Sequence, residues 1–229
     1  MYVVALVLYV VTLSVDSEIR RISSISGRSK ALENAEFARK KQDARINASN
    51  SARLMRDLFR GYNRDVRPVF NDSQPIDVAM HLWFKQVLKV DEIDQVLTIY
   101  SWVEQYWVDE FLRWDPAEYG GIERIYPPAE KVWKPDITVY NNADMNVKEN
   151  ELSTNVVLKN TGDIINFRAA INKITCNLDM TYFPFDVQNC DMLFSSWSLD
   201  GGKLTLKQRM DNNTNCTEYY IENIEWKLL

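Results

Sequence analysis

The chain has 229 residues, enough for one sizeable core with extensions. Its 27 Lys and Arg against 32 Asp and Glu give a net charge of −5, with no basic block and no Gly/Arg tract, which excludes nucleic acid as a partner. A Ser-His-Asp triad or a His-rich metal site would have to rest on His81 alone, and there is no Gly-rich phosphate loop. These residues call for neither an enzyme nor a cofactor.

The first elements point to an extracellular chain. The apolar run Val3–Leu13 is shorter than the roughly 20 residues needed to span a bilayer. With the small residues after it, it reads as the core of a signal peptide over 1–17. Residues 18–49 are charged and poor in aromatics and read as a polar extension, partly helical at best. Four N-x-S/T triplets, at Asn47, Asn71, Asn212 and Asn215, are candidate glycosylation sites.

Leu54, Leu58 and Phe59 recur at helical spacing, so 50–60 is a short amphipathic helix, ended by Gly61 and Asn63 and broken again at Pro68. From Pro75 the apolar period changes to two. The runs IDVAMHLWFKQVLKV and VLTIYSWVEQYWVDEFLRW alternate. TNVVLKN, IINFRAAINKITC, VQNCDMLFSSWSL, KLTLKQ and IEWKLL follow. Turn clusters at 115–121, 126–128, 141–144, 160–163 and 200–202 separate them. Many short strands at regular spacing predict an all-β sandwich over 50–229. Alternation puts Trp102, Glu104 and Tyr106 on one side of a strand and Val103, Gln105 and Trp107 on the other. Trp107, Trp114 and Trp133 read as structural, and His81 reads as a strand-face residue.

Cys176 and Cys190 enclose a thirteen-residue segment, NLDMTYFPFDVQN. A zinc site needs about four ligands, and only Cys216 and His81, both distant in sequence, are left to complete one. The spacing is too wide for a CxxC-type redox pair. In an oxidising compartment this leaves a disulfide closing a local loop. Closing about 15 residues stabilises by about 3 kcal/mol in the chain-entropy picture. Tyr182, Phe183 and Phe185 place three aromatics at the loop's turn, an apolar tip suited to pressing on another surface. Cys216 is left unpaired.

The C-x13-C loop with FPFD inside it resembles the signature of the Cys-loop, or pentameric ligand-gated ion channel, family. Other segments agree in the family's order: YNRDVRPV (62–69), WVEQYWVD (102–109), LRWDPAEYGGI (112–122), WKPDITVYNNAD (133–144) and FSSWSLDGGKLTL (194–206). The third and fourth are more similar to the nicotinic acetylcholine receptor type than to the GABA or glycine type. The resemblance covers about residues 50–229 and implies an immunoglobulin-like β-sandwich with a short N-terminal helix.

It also implies a function. The family's ligand, acetylcholine or a related cationic amine, lies in an aromatic box between subunits of a homo- or hetero-pentamer, in the secretory pathway or at the cell surface and postsynaptic membrane. Each ring attracts a cation with about 0.5–2 kcal/mol. Matching motifs carry Tyr140 and Trp197 to one subunit's principal face and Trp102 to its neighbour's complementary face. Val157, Ile165 and Phe167 match the complementary strands by their distance from Cys176. Phe183, Pro184, Phe185 and Asp186, with Asp91 and Glu92, match the turns that couple ligand closure to the pore.

The pattern also departs from the family. Leu199 stands where many relatives place Tyr. After IENIEWKLL the family continues with a capping loop, a last strand and four transmembrane helices. The expectation is therefore an incomplete domain of a cation-channel subunit. The alternatives are a secreted, pore-less binding protein or assembly modulator, and an adhesion sandwich without a ligand.

Overall fold

The computed structural model describes residues 32, 34–41, 49–144, 151–209 and 216–228. The expected signal peptide over 1–17, most of 18–49 and the glycosylation candidates Asn47, Asn212 and Asn215 lie outside them. The chain divides into two units, Met1–Ser49 and Asn50–Leu229. In the first, residues 34–41 are helical (α1) and exposed, with an ion pair of 2.9 Å between Glu36 and Lys40 one turn apart.

The second unit opens with α2 (Asn50–Leu58). Its apolar stripe turns Leu54 fully into the core, with Met55, Leu58 and Phe59 beside it. Two long strands follow, β1 (Ile76–Asp91) and β2 (Val96–Val108), then the short β3 (Arg124–Ile125), β4 (Ile137–Val139), β5 (Glu151–Ser153) and β6 (Val157–Lys159), the long β7 (Asp163–Thr175), and finally β8 (Phe194–Ser196) and β9 (Leu204–Gln208). Seven strands form one sheet in the order β3-β6-β7-β2-β1-β9, with β5 pairing on β7; β4 and β8 form a separate two-stranded ladder. All these pairs are antiparallel except β1 with β9, which run parallel.

The core is what strand alternation predicts. Ile76, Val78, Trp107, Ile164, Leu158 and Leu204 face inward from the sheet, and Ile137 meets them from the β4–β8 ladder. Burying each large side chain contributes about 1.5–3 kcal/mol. Trp107 and Trp133 pack edge to face with centroids 6.1 Å apart. Trp114 is half-buried and donates its indole N–H to the Ile122 carbonyl at 2.7 Å.

Three of the quoted motifs meet at one buried polar node. Tyr62 donates its hydroxyl to Asp109 Oδ2 at 2.6 Å and accepts the Trp133 N–H at 2.9 Å. Asp109 also accepts the Phe111 N–H at 3.0 Å. Burial first, then the Asp109 bond, pushes the Tyr62 hydroxyl well above its ordinary value. Asp109 is buried too, and desolvation raises its carboxyl despite the donors around it.

Three expected strand stretches are shortened or absent. The run 96–114 leaves the sheet after Val108, because the Asp109 carboxylate turns back onto the Phe111 N–H. Of 187–199 only Phe194–Ser196 is strand; Gln188 instead binds across the disulfide loop to the Asp179 backbone, at 2.9 Å in both directions. The expected strand IEWKLL does not form over its described residues 224–228. There the Asn223 side chain accepts the N–H groups of Glu225 at 2.7 Å and Trp226 at 3.0 Å, which favours a turn over an extended ladder. Among the described residues no helix is long and apolar enough to cross a membrane.

Candidate functional site

Tyr140 and Trp197 stand just past the β4–β8 ladder, at opposite ends of it. Ile137 pairs with Ser196 and Val139 with Phe194. The Trp197 N–H bonds the Asp136 carbonyl at 3.3 Å, and the Tyr140 N–H bonds the Leu193 carbonyl at 2.7 Å. Strand parity sets both rings on the side away from buried Ile137, separated by about 13 Å of strand rise. Trp197 is 77% exposed and Tyr140 68%.

Asp136 provides the rigidity behind Trp197. Its carboxylate accepts the Ser196 and Ser198 hydroxyls and, at 2.7 Å, the Ser198 N–H. Burial alone would raise this carboxyl; the three donors together outweigh it and hold Asp136 below the ordinary value. The WKPD and SSWS motifs are thus two halves of one clamp.

Trp102, Phe167, Ile165 and Val157 lie together on one face of the large sheet. Glu104 pairs with Phe167, Tyr106 with Ile165, and Val157 with Ile165, and all four candidates are half-buried. Trp102 and Phe167 meet edge to face with centroids 5.4 Å apart. The Trp102 indole N–H donates to Tyr100 Oη at 2.7 Å. Alternation holds along this strand, with Val103, Gln105 and Trp107 buried behind. The two aromatic faces, Tyr140–Trp197 and Trp102–Phe167, belong to different sheets.

The disulfide forms between Cys176 and Cys190, with Cα atoms 5.4 Å apart, and Cys216 is free. The tip is bare: Phe185 is 88% exposed, Tyr182, Phe183 and Pro184 are exposed with it, and Asp186 is turned back onto Gln188. Asp91 caps the β1–β2 turn by accepting the Asp94 N–H at 3.2 Å and pairs with Lys89, while Glu92 is exposed. These two turns are joined by a residue that sequence reasoning missed. Gln95 accepts the Cys176 N–H on its carbonyl at 2.9 Å and the Leu178 N–H on its side-chain oxygen. Its φ of 54° lies in the left-handed region, which a non-glycine residue adopts only when its surroundings hold it there. Nothing in the pattern DEIDQV advertised this. Asn71, in the turn before β1, is exposed and fits a glycan acceptor.

Two further residues were missed beside Trp102. Lys85, the extra residue where the β1–β2 register shifts between Phe84 and Gln86, lays its ammonium 4.0 Å from the Trp102 ring centroid. Tyr219 closes over the same group at 5.0 Å. A bulge leaves no mark in an alternating pattern, and Tyr219 lies in a segment that reads as a loop.

Comparison with known proteins identifies the family. The profile of the neurotransmitter-gated ion-channel ligand binding domain matches residues 51–229. Rat neuronal acetylcholine receptor subunit alpha-3 (Rattus norvegicus) is 42% identical over 177 residues, covering 77% of this chain and 35% of the relative. Human subunit alpha-10 (Homo sapiens) is 40% identical over 177 residues, 77% of this chain and 39% of the relative. The locust (Schistocerca gregaria) acetylcholine receptor subunit alpha-L1 is 41% identical over 188 residues, 79% of this chain and 33% of the relative. The chain thus spans about a third of the length of these curated relatives.

Proposed function

The chain belongs to the neurotransmitter-gated ion-channel ligand-binding domain family, and on that premise we propose that it binds acetylcholine or a related cationic amine between subunits of a pentamer. The family is one of ligand-gated channels rather than enzymes, and its nicotinic relatives support a location outside the cell or on its surface. The observation that carries the proposal is the exposed Trp197 ring, braced by Asp136 and on the same side of its ladder as Tyr140. A ring in that position offers its π-face to a cation without first leaving a core. Trp102, Phe167, Ile165 and Val157 supply the opposite wall from the next subunit. In the full-length receptor, closure of the ligand would reach the pore through the tip Phe183–Asp186 and the turn at Asp91 and Glu92, and would open a cation channel.

Equilibrium titration with acetylcholine tests this. The wild-type chain is expected to bind, and Trp197→Ala to lose at least tenfold in affinity while its thermal midpoint stays within a few degrees. Equal affinities in two folded proteins would remove Trp197 from the site. For the coupling turns, agonist-evoked current in a receptor carrying Phe185→Ala is expected to fall without loss of binding; an unchanged current would remove the tip from the pathway.

A further inference from the structure

Lys85 is a buried cation of a kind strand alternation does not produce. It is the bulged residue of β1: Phe84 pairs with Ser101 and Gln86 with Tyr100, so Lys85 has no partner on β2. A bulge re-aims the side chain at that point. Lys85 lies on the side of β1 that carries Trp83, which pairs with Trp102, and its residue is only 7% exposed. The ammonium sits between the Trp102 ring at 4.0 Å and the Tyr219 ring at 5.0 Å. Among the described residues no carboxylate forms an ion pair with it.

The segment carrying Tyr219 is fastened along the free edge of β1, around Lys85 itself. The Phe84 N–H bonds the Cys216 carbonyl at 2.8 Å, the Ile221 N–H bonds the Lys85 carbonyl at 2.7 Å, and Asn223 Nδ2 donates to the Val87 carbonyl at 2.9 Å. Tyr219 also packs on Trp83 at 5.2 Å and on Trp102 at 6.0 Å, and Tyr220 stacks on Phe84 at 5.6 Å. The rest of the Trp102 side chain is engaged as well, its N–H by Tyr100 and its ring by Phe167. The result is an aromatic cage that already holds a cation from its own chain.

We propose that Lys85 is a tethered cation occupying the Trp102 face, so that this wall of the site rejects a cationic amine until Lys85 is displaced. An aromatic face attracts a cation through its quadrupole, but a second positive charge entering beside Lys85 meets like-charge repulsion where little water screens it. Lys85 is therefore a specificity-determining residue. It leaves a cationic ligand to the Tyr140–Trp197 face and keeps the Trp102 wall for a neutral or anionic group. This rests on the reading of Trp102 as a ligand wall.

The test is binding of tetramethylammonium to the full chain and to the variants Lys85→Met, Lys85→Arg, Trp102→Leu and the pair Lys85→Met with Trp102→Leu. The expected result is a gain of tenfold or more in Lys85→Met that Trp102→Leu abolishes, and no gain in Lys85→Arg. Lys85→Gln replaces Lys85→Met if the latter melts early. An affinity equal in wild type and Lys85→Met, with both binding, would overturn the inference and leave the proposed ligand standing. No binding in any variant would overturn both. The ε-methylene protons of Lys85, shifted upfield by the two rings in wild type and returned to ordinary positions in Trp102→Leu, support the cage without any ligand; unshifted protons in wild type would overturn it.

Discussion

Trp197 and Tyr140 are exposed because of strand parity: the same short ladder that buries Ile137 turns them outward. Asp136 is the residue on which the presentation of Trp197 depends. Asp136→Ala removes three hydrogen bonds from the turn at 196–198, and we expect it to weaken acetylcholine binding more than it lowers the thermal midpoint. A midpoint collapse with unchanged affinity in the surviving folded fraction would make Asp136 purely structural. Its pH signature has a defined sign. A carboxyl held below its unfolded value stabilises above that value and loses the contribution as pH falls through the lower, folded one. The stabilisation from Asp136 is therefore intact at pH 5 and above and fades in acid below about 4. Asp136→Asn is expected to flatten the acid limb of the stability curve. At the second turn, Gln95→Ala removes the acceptor of the Leu178 N–H, a loss of about 1 kcal/mol. It also frees the base of the disulfide loop, to be read as faster amide exchange at Cys176 and Leu178; unchanged protection would show that the backbone contact alone holds the turn.

Among the elements, β2 and β7 position one half of the candidate site, and their register across thirteen paired residues fixes which side chains share a face. The turn into β7 is under tight steric control. Gly162 has φ +88°, and an added Cβ would come within 2.4 Å of the Asp109 carbonyl. Gly162→Ala is expected to cost about 1–3 kcal/mol, measured by urea unfolding, because both the conformation and the space are wrong for a side chain. A neutral effect would mean that the β6–β7 turn can move without disturbing Asp109. The strands were legible because alternation is a direct consequence of the pleat: Val103, Gln105 and Trp107 went inward as their spacing required. The bulge at Lys85 was not legible, because one extra residue changes the partner of a side chain without changing its type. The turn at Asn223 was missed for a related reason. The apolar residues of IEWKLL imitate a strand, while one side-chain amide upstream decides the backbone.

At the scale of the whole molecule, the node of Tyr62, Asp109 and Trp133 ties the segments before β1, after β2 and before β4 into one core. Those segments were recognisable in the sequence as motifs, but their mutual hydrogen bonds were not, since each partner is distant along the chain. Two tyrosines then set the alkaline limit. Burial and the Glu104 bond push Tyr106 up to about 12, and burial and the Asp109 bond push Tyr62 higher still. A raised folded value stabilises fully below the unfolded one, near 10, and the stabilisation is lost as pH rises through the folded value. Stability is therefore expected to hold to about pH 10 and to fall steeply by about pH 12, with Tyr62→Phe shallower in this range but less stable at neutral pH because Asp109 loses a donor. A Tyr62→Phe curve parallel to wild type from pH 9 to 12 would count against the node.

The most direct test of the ligand site is oxidative footprinting of the folded chain with and without saturating acetylcholine. Protection of Trp197 and Tyr140, with Trp107 and Trp133 unchanged, is the predicted result. Equal labelling of Trp197 in both conditions, at a concentration where acetylcholine is bound, would place the ligand elsewhere and contradict the site.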